Sequence, residues 1–583
     1  MSLLSDACST MIHPAFTIGL ERGVRSRPRL TGLLALALLG SACGGGGKGP
    51  DITLTPPTPT RIDVTPAAVT LDVGGSQQLG ATVYDQNGQT MFAQTPVWSS
   101  LNTGVVSVTA SGFATAVGAG ATKVSATVGA AIGTASFTVN QPVDVIPSQT
   151  FQTIVGWEGT GSIGEVECNQ TAFQNYKVTV LNRLSGELGV NRVRLQVRSG
   201  YESPVDYFQQ FRSGQIDYAT WQATWYTPVN DNANPNVTDP SKFQWGWLDY
   251  QIDEVVLPLM QRLQARGEKL YVNLNYIDFK QNKLKNFIPE KQPAEYAEFV
   301  LAAFQHITQK YGWSPDALEI LLEPQNAGDV NTTVTGADLG AAIVAAGSRL
   351  ASAGYHPDII APSDASMANS IALYDAMIQT PGVLQYLKEF SYHRYQGVSL
   401  ANLQAIAQRG QRDRVRTSML EWNQGVSIET LLEDLTVGNV SAWQQFSMAF
   451  CSNNTDATRT GIYYQINQSN PGNPIVTTTN NARDYRQIFN YVRAGAVRIG
   501  AASGNAQLLS PVAFRNADGR YVAVVRTQAA ATFALRGLPA GTYGVNYGVQ
   551  QPFNVDLPDV VVVAGVPISV GIPAKGVITL YQR

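Results

Sequence analysis

The sequence has few histidines, few cysteines and almost no net charge. Of its 583 residues only four are His and four are Cys, and the formal net charge is −3. No two cysteines are closely spaced and no His-x-His pair occurs, so we expect no metal and no cofactor. Charged residues make up 14% of the chain and form no basic stripe, which argues against a nucleic-acid partner.

Long apolar runs are missing after the N-terminal segment, so we expect no membrane-spanning helix there. The N-terminal segment itself is typical of a targeting signal. Four arginines between residues 22 and 29 precede the apolar run Leu33–Leu39, and Cys43 with four glycines follows. This resembles a bacterial lipoprotein signal over residues 1–43, which implies lipidation of Cys43. Membrane contact would then be through this anchor alone, at the cell surface or outer membrane. Plain secretion is the alternative.

A short tether and a small β-domain follow the signal. Residues 44–60 are rich in Gly, Pro and Thr, which is typical of a linker. Residues 61–140 alternate in short strands separated by Gly-containing turns, which predicts a β-sandwich. The segments Gln77–Gly88, Val97–Ser100 and Val106–Val108 resemble the bacterial immunoglobulin-like domain of group 2. That resemblance implies either a spacer or a surface for adhesion or carbohydrate contact.

From residue 145 to 495, strand-like runs alternate with amphipathic helical patterns, which predicts a (β/α)8 barrel. Helices are expected at Leu248–Arg266, Pro293–Lys310, Gly336–Ala353 and Val440–Phe450. An open doubly wound sheet is the alternative, but the glycine-rich stretch from Gly156 lacks the spacing of a phosphate loop. The eight predicted strands are Thr153–Gly156, Val190–Val197, Lys269–Tyr276, Ala317–Glu323, Ile359–Ser363, Phe390–Tyr395, Thr417–Trp422 and Gly461–Gln465.

The last part of the chain, residues 496–583, returns to β-patterning. A hairpin with an Asp518-Gly519 turn and several alternating runs predict a C-terminal β-sandwich. The run Val143–Phe151, just before the barrel, is expected to complete it. The overall prediction is therefore a multidomain protein with an immunoglobulin-like β-sandwich, a (β/α)8 barrel and a C-terminal β-sandwich.

Two glutamates end predicted barrel strands, and they are the leading catalytic candidates. Glu323 ends the fourth strand and Glu421 the seventh. Catalytic groups of barrels lie at the carboxyl ends of the strands. A retaining glycosidase uses two carboxyl groups about 5–5.5 Å apart, one of which donates a proton while the other attacks the sugar. Pro324 and Trp422 beside them suit a shaped pocket.

Five segments in order resemble glycoside hydrolase family 30. They are Gln152–Gly161, Glu323-Pro324, His393-Arg-Tyr395, Glu421 and the exit segment Phe489–Ile499. The resemblance spans about residues 145–583. It implies a retaining hydrolase whose acid/base is Glu323 and whose nucleophile is Glu421. The substrate would be a polysaccharide or oligosaccharide with β-linkages.

The same resemblance implies roles for neighbouring residues. Arg194 matches a second-strand arginine that keeps the nucleophile ionised, since a nearby cation lowers a carboxylate pKa. Arg198 is the competing candidate on the same strand face. His393 and Tyr395 share one face, and the Tyr395 hydroxyl is placed to donate to Glu421.

One position departs from the family pattern. Family members carry Asn directly before the acid/base, where it contacts the sugar 2-hydroxyl, and this chain has Leu322. Asn326, Asn275 or Asn273 are the candidates to replace that contact. A divergent substrate and loss of activity are both compatible with Leu322.

Other residues are expected to line the pocket. Trp157 lies in the first motif, Trp422 follows Glu421, and Gln465 ends the predicted eighth strand. The loop 199–247 is long and aromatic, and long loops on barrel tops are usually functional. Each aromatic residue of this loop either stacks on a sugar ring or is buried within the loop itself, and the sequence leaves both alternatives open.

Two questions stay open from the sequence. Cys168 and Cys451 either form a disulfide, as an oxidising compartment allows, or are two buried thiols. The barrel either hydrolyses a glycan or is a carbohydrate-binding or adhesive surface protein that no longer catalyses. The sugar, its linkage, endo or exo action and the oligomeric state do not follow from the residues.

Overall fold

The structure is a computed structural model that describes residues 56–279, 292–326 and 334–583. The predicted signal segment, Cys43 and most of the tether lie outside the described residues. No helix in the described ranges is both long enough and apolar enough to cross a membrane.

The first domain is a β-sandwich whose alternating strands bury one face around a small apolar core. Ile62, Val83, Val124 and Phe137 lie in this core. One sheet has the strands Ala68–Asp72, Ala131–Asn140, Gly120–Val128 and Val97–Ser100 in spatial order, and Ser76–Gln78, Phe113–Ala116 and Val106–Val108 form another, with Pro59–Thr65 paired to Gly80–Asp85.

The central domain is a closed barrel of eight parallel strands. The eighth strand pairs with the first at Gly156 and Ala442, and the first pairs with the second at Glu158 and Arg192. In chain order the strands are Gly156–Thr160, Arg192–Arg198, Tyr271–Ile277, Ala317–Glu319, Asp358–Ser366, Leu387–Gln396, Arg416–Glu421 and Val440–Trp443. The predicted barrel is confirmed as a TIM-like ring, and the doubly wound alternative is wrong.

The eighth strand is not the predicted one. Val440–Phe450 was expected to be helical, but the strand Val440–Trp443 and the beginning of the strand Ser447–Ser452 lie there. A run of four buried residues cannot be told from a helical turn by periodicity, which explains the error. The predicted strand at Gly461–Gln465 exists as Ile462–Asn467, but it pairs with Ser447–Ser452 outside the ring of eight.

The longer helices bury apolar side chains in the same core cluster as the barrel strands. The predicted helix at Leu248–Arg266 is a nearly continuous helical stretch from Gly246 to Gln264, with a π-helical segment at Ile252–Val256. The helices are Gln170–Asn182, Tyr207–Arg212, Tyr218–Gln222, Gly246–Gln251, Leu257–Gln264, Pro293–Tyr311, Gly336–Ser352, Met367–Met377, Val383–Tyr386, Leu400–Asp413, Ile428–Thr436 and Asn480–Phe489.

The C-terminal β-domain is built on one continuous hydrogen-bonded sheet. Pro142–Thr153 joins it and pairs antiparallel with Val497–Ser503, as expected for the strand before the barrel. The spatial order is Val555–Val562, Gly541–Val549, Gly576–Gln582, Tyr521–Thr527, Leu509–Arg515, Val497–Ser503, Pro142–Thr153, Ala531–Arg536 and Ile568–Ile572. Arg536 forms ion pairs with Asp144 at 2.7 Å and with Asp72 of the first domain at 2.8 Å.

The barrel interior contains buried charged and polar side chains. Arg192, fully buried, forms ion pairs with Glu158 and, at 2.7 Å, with Glu389. The Asn273 side chain donates to Glu319 at 2.9 Å. Buried charges are costly unless they are paired and hydrogen-bonded. We therefore interpret these paired residues as a layer that supports the charged groups nearer the mouth of the barrel.

Candidate active site

Glu323 lies in a strained turn just beyond the fourth strand. The strand itself ends at Glu319, but the Glu323 N–H donates to the Ser363 carbonyl of the fifth strand at 2.9 Å. Its φ is 48°, in the left-handed region that non-glycine residues rarely occupy. The Gln325 N–H donates to the Asp364 carboxylate at 2.8 Å and holds the turn from its other side. Such strain is concentrated at functional sites.

Both carboxylate oxygens of Glu323 accept hydrogen bonds. His393 Nδ1 donates to Oε1 at 2.8 Å, and Asn326 Nδ2 donates to Oε2 at 2.7 Å. Burial alone would raise the pKa of Glu323, but the bonds and the charge of His393 outweigh burial and lower it. Burial would likewise lower the pKa of His393, but Glu323 and Glu421 outweigh it and raise that pKa. His393 and Glu323 are therefore an ion pair that shares one proton.

Glu421 is also held at both oxygens. Arg194 donates to Oε2 in a buried ion pair, and the Tyr395 hydroxyl donates to Oε1 at 2.9 Å. Arg194 is fixed in turn by the Thr160 hydroxyl at 3.1 Å and the Leu420 carbonyl at 3.3 Å. A permanent guanidinium charge therefore lies directly beside the Glu421 carboxylate.

The two carboxylates converge at the mouth of the barrel. One ligand atom each of Glu323, His393 and Glu421 lies within 4.8 Å of the other two. A separation of about 5–5.5 Å between carboxyl groups fits direct attack by one of them, whereas about 6.5–9.5 Å leaves room for a water. Distant strands thus assemble a carboxylate–histidine cluster that the spacing of these residues in the sequence does not reveal.

Asn275 was predicted to contact the substrate, and it lies on the barrel interior. Its strand pairs it with Gln196 on one side and Glu319 on the other. The side chain is fully buried, and neither its oxygen nor its nitrogen has a partner among the described residues. This pattern leaves Asn275 able to bind a hydroxyl group or an ordered water.

Trp157 and Gln465 do not lie at the site. The Trp157 ring is fully buried, stacks on Phe489 at 4.5 Å, and donates from Nε1 to the Val492 carbonyl at 2.6 Å. It belongs to the core because strand residues alternate between the two faces, and Trp157 faces the helices. Gln465 is fully buried and donates to Ser452 on the neighbouring strand outside the ring.

Trp422 and Leu322 flank the catalytic candidates. Trp422 is partly exposed and carries the Arg394 guanidinium over its ring at 5.5 Å. Leu322 is 5% exposed and packs in an apolar cluster with Tyr226 and Ile277. The position that family 30 fills with Asn is therefore occupied here by a packed apolar side chain.

A cleft of about 880 Å³ lies beside the site. Thr160, Gln196 and Asn423 connect it to the strands that carry Arg194 and Glu421. Cys451 also lines this cleft and forms a disulfide with Cys168, with 5.7 Å between the Cα atoms. The disulfide decides between the two possibilities that the sequence left open.

The aromatic loop packs mainly on itself. Phe211 stacks on Trp221 with ring centroids 5.0 Å apart, and Trp221 contacts Trp225 and Trp247 edge-on. Arg198 lies against this cluster and makes no bond to Glu421, so of the two competing arginines the structure places Arg194 at the carboxylate.

Comparisons with known proteins identify the first domain and the fold of the remainder. Residues 59–139 match the bacterial Ig-like domain of group 2. No curated relative matches the sequence. Among solved structures, the catalytic domain of GH30 xylanase C from Talaromyces cellulolyticus is 15% identical, with a TM-score of 0.54, and covers 76% of this chain and 100% of its own.

Two further structures agree with that fold. A GH30 endoxylanase from Clostridium papyrosolvens is 15% identical, with a TM-score of 0.51, and covers 76% of this chain and 100% of its own. An endo-β-1,6-glucanase is 14% identical, with a TM-score of 0.51, and covers 76% of this chain and 94% of its own. The chain thus carries a bacterial immunoglobulin-like domain of group 2 at residues 59–139, followed by a barrel with the fold of family 30 glycoside hydrolases.

Proposed function

We propose that the protein is a retaining glycoside hydrolase that cleaves β-glycosidic bonds of a polysaccharide or oligosaccharide. The single observation that carries this is that one carboxylate oxygen of Glu323 and one of Glu421 lie within 4.8 Å of each other. The different partners of the two carboxylates support different roles, because one is beside a permanent cation and the other shares a proton with a histidine.

Glu421 is the nucleophile in this proposal. Arg194 and the Tyr395 hydroxyl each hold one of its oxygens and so fix the orientation of the carboxylate towards the anomeric carbon. It attacks that carbon while the bond to the leaving oxygen breaks, which forms a covalent glycosyl–enzyme ester. A water molecule then releases the sugar with the original anomeric configuration.

Glu323 is the general acid and then the general base. The proton that it shares with His393 passes to the leaving oxygen in the first step. In the second step Glu323 takes a proton from the attacking water, and the pair regains its starting charge. The left-handed turn and the bonds from His393 and Asn326 hold the carboxylate in place for both steps.

The location of the enzyme is a separate proposal. The N-terminal segment supports lipidation at Cys43, and the immunoglobulin-like domain would hold the barrel away from the membrane. A globomycin-sensitive shift in the size of the expressed protein, abolished by Cys43→Ala, would support a lipid anchor. Cleavage that is insensitive to the inhibitor would indicate plain secretion.

The test of the reaction is a screen of the purified chain against β-linked polysaccharides and aryl β-glycosides. Proton NMR of the first-formed product should show retention of the anomeric configuration. Glu421→Gly with azide should form an α-glycosyl azide, whereas Glu323→Gly with azide should form a β-glycosyl azide. Glu254→Gln, which alters a carboxylate paired with Lys177 on an outer helix, is the matched control. Inversion, or full turnover by Glu421→Gln, would refute the proposal.

A second candidate is a carbohydrate-binding surface protein without catalysis. The buried Leu322 favours it, since the usual amide that contacts the substrate is missing at that position. Binding of a glycan by the wild-type chain, with no product from any substrate in the screen, would support this alternative.

A further inference from the structure

A second cavity, of about 630 Å³, lies at the end of the barrel opposite the proposed active site. Leu270 and Asp316, which line it, directly precede the third and fourth barrel strands, and His356 lies just before the fifth. The catalytic candidates lie beyond the carboxyl ends of the strands, and a strand of seven residues such as Tyr271–Ile277 spans about 20 Å. A sugar unit in this cavity is therefore out of reach of the groups proposed to hydrolyse the glycan.

Trp313 gives this cavity an aromatic surface. It packs against the main core cluster but stays partly exposed, and it lines the cavity. Its Nε1 atom is buried and has no acceptor among the described residues. An indole combines a large apolar ring face with one N–H donor. The apolar C–H face of a sugar ring can stack on such a ring, while a sugar oxygen accepts from an N–H group.

The carboxylates and the ammonium group that line the cavity are already paired within the chain. Glu268 forms ion pairs with Arg493 and, at 3.5 Å, with Arg266. Asp316 forms an ion pair with Lys269. These groups therefore present no uncompensated charge that would select an ion. A carboxylate oxygen in an ion pair still has lone pairs for a hydroxyl group, so the same residues can bind a neutral ligand.

Uncharged polar groups complete the lining of the cavity. Gln264, Ser314 and His356 all line it, and all three are exposed. An amide, a hydroxyl and a neutral imidazole can each donate and accept hydrogen bonds. A sugar ring has hydroxyl groups around its rim and an apolar face, which matches polar groups around one tryptophan. The volume also lies within the range of about 300–1,000 Å³ that is usual for small-ligand sites.

We propose that this cavity binds an uncharged sugar unit of a polysaccharide, with the ring of Trp313 against the sugar. The choice of a carbohydrate rests on the proposed function, but the binding needs no catalysis. A polysaccharide held here would keep the protein on its substrate while another part of the same material enters the active site. The cavity is called the distal cavity below, and its polar and aromatic lining includes Gln264, Glu268, Lys269, Trp313, Asp316 and His356.

Binding is tested first without catalysis, by affinity electrophoresis of the full chain in native gels that contain a mixed-linkage β-glucan, a neutral arabinoxylan or a β-mannan. Glu421→Gln is the parent, so that the polysaccharide stays intact during the run. We expect at least one polysaccharide to retard the parent, and Trp313→Ala to weaken that binding about tenfold or more, because the apolar contact is lost. Calorimetry with a hexasaccharide of that polysaccharide should show one binding site fewer per chain in Trp313→Ala. No retardation by any of the three, or an unchanged number of sites, would overturn the proposal.

The helix Leu257–Gln264 supplies a matched pair of variants that keeps the test independent of folding. Gln261 and Gln264 are both exposed on this helix, and Gln264 lines the distal cavity whereas Gln261 lies outside its lining. Gln264→Ala should weaken binding about two- to tenfold, as expected for one hydrogen bond, and Gln261→Ala should bind as the parent does. Equal binding by these two variants, with weaker binding only in a Trp313→Ala chain whose thermal unfolding midpoint falls, would attribute the loss to unfolding and refute the site.

Kinetics separate this inference from the proposed function. If both hold, Trp313→Ala should raise KM for the polysaccharide and leave kcat/KM for an aryl glycoside unchanged, since so small a substrate occupies the active site alone. A wild type that hydrolyses the polysaccharide with retention, and that Trp313→Ala matches in binding and in KM, would refute the distal cavity while leaving the glycosidase proposal intact. Binding that depends on Trp313 in a chain that hydrolyses nothing would support the distal cavity and refute the glycosidase.

Discussion

The Nδ1 atom of His393 lies 2.8 Å from Oε1 of Glu323, and this contact shifts the two pKa values in opposite directions. The His393 pKa is raised above its usual 6.5 and the Glu323 pKa is lowered below its usual 4.5, against the effect of burial in each case. Between those two pKa values the pair holds one proton, and the opposite shifts favour its place on the imidazole. A histidine thus stores the proton that the proposed acid must deliver.

This relationship predicts the alkaline limb of the pH profile. As pH rises through the raised His393 pKa the pair loses its last proton, and Glu323 can no longer act as an acid. In His393→Asn the last proton belongs to the carboxyl group alone, so the alkaline limb of kcat/KM should move to lower pH. His306→Asn alters a histidine on an outer helix and should leave the limb in place. An unchanged limb in His393→Asn would show that His393 does not hold the proton.

The Tyr395 hydroxyl predicts a measurable loss in the first chemical step. Tyr395→Phe removes a hydrogen bond of 2.9 Å to Glu421, and a bond to a charged group contributes about 1.5–3 kcal/mol. We expect kcat/KM to fall about 10- to 100-fold. Tyr374→Phe removes a hydrogen bond of 2.8 Å to Asp413 outside the site and should leave kcat/KM unchanged. Equal losses in the two variants would attribute the effect to folding rather than to Glu421.

The sequence predicted the barrel because its strands and helices differ in hydrophobic period. The family resemblance implied Arg194 beside Glu421, and strand alternation placed Tyr395 on the same face as His393. Trp157 was misjudged because a motif match does not reveal which face of its strand a tryptophan occupies. Its burial against Phe489 places it in the core.

Features that depend on contacts between distant strands could not be predicted. The ion pair of His393 with Glu323 requires the fourth and sixth strands to bring their ends together. The left-handed φ of Glu323 likewise follows from tertiary packing and leaves no pattern in the sequence. The eighth strand was missed because Val440–Trp443 is too short to show a period.

Leu322 predicts the outcome of restoring the family's asparagine. Leu322→Asn would bury an amide among Tyr226 and Ile277, and an unsatisfied buried polar group costs about 1–3 kcal/mol. We expect a lower free energy of unfolding in guanidinium chloride and no gain in kcat/KM. Leu322→Met keeps the volume and should cost less than about 1.5 kcal/mol. A rise in kcat/KM at unchanged stability would instead mean that the amide reaches the substrate.

Glu323, His393 and Glu421 could together contact a metal ion, but we expect activity to be independent of metal ions. The ligand atoms of Glu323, His393 and Glu421 are close enough for one divalent cation to contact all three. All four carboxylate oxygens of Glu323 and Glu421, however, already accept a hydrogen bond, and the Arg194 guanidinium holds a permanent positive charge beside Glu421. A second cation would meet electrostatic repulsion there. Dialysis against EDTA should therefore leave kcat/KM unchanged, and added Ca²⁺ or Mg²⁺ should not increase it.

A variant of Arg194 tests whether its positive charge is what keeps metal ions from this site. Arg194→Met removes the positive charge and frees one oxygen of Glu421, so the three groups become a better site for a soft-to-borderline cation such as Zn²⁺. Zn²⁺ should bind Arg194→Met at least tenfold more tightly than the wild type, measured by calorimetry. Arg192→Met, which removes a buried guanidinium paired with Glu158 and Glu389 instead, should show no such gain. Activity that EDTA abolishes and Zn²⁺ restores in the wild type would mean that the cation, rather than Arg194, balances the charge of Glu421.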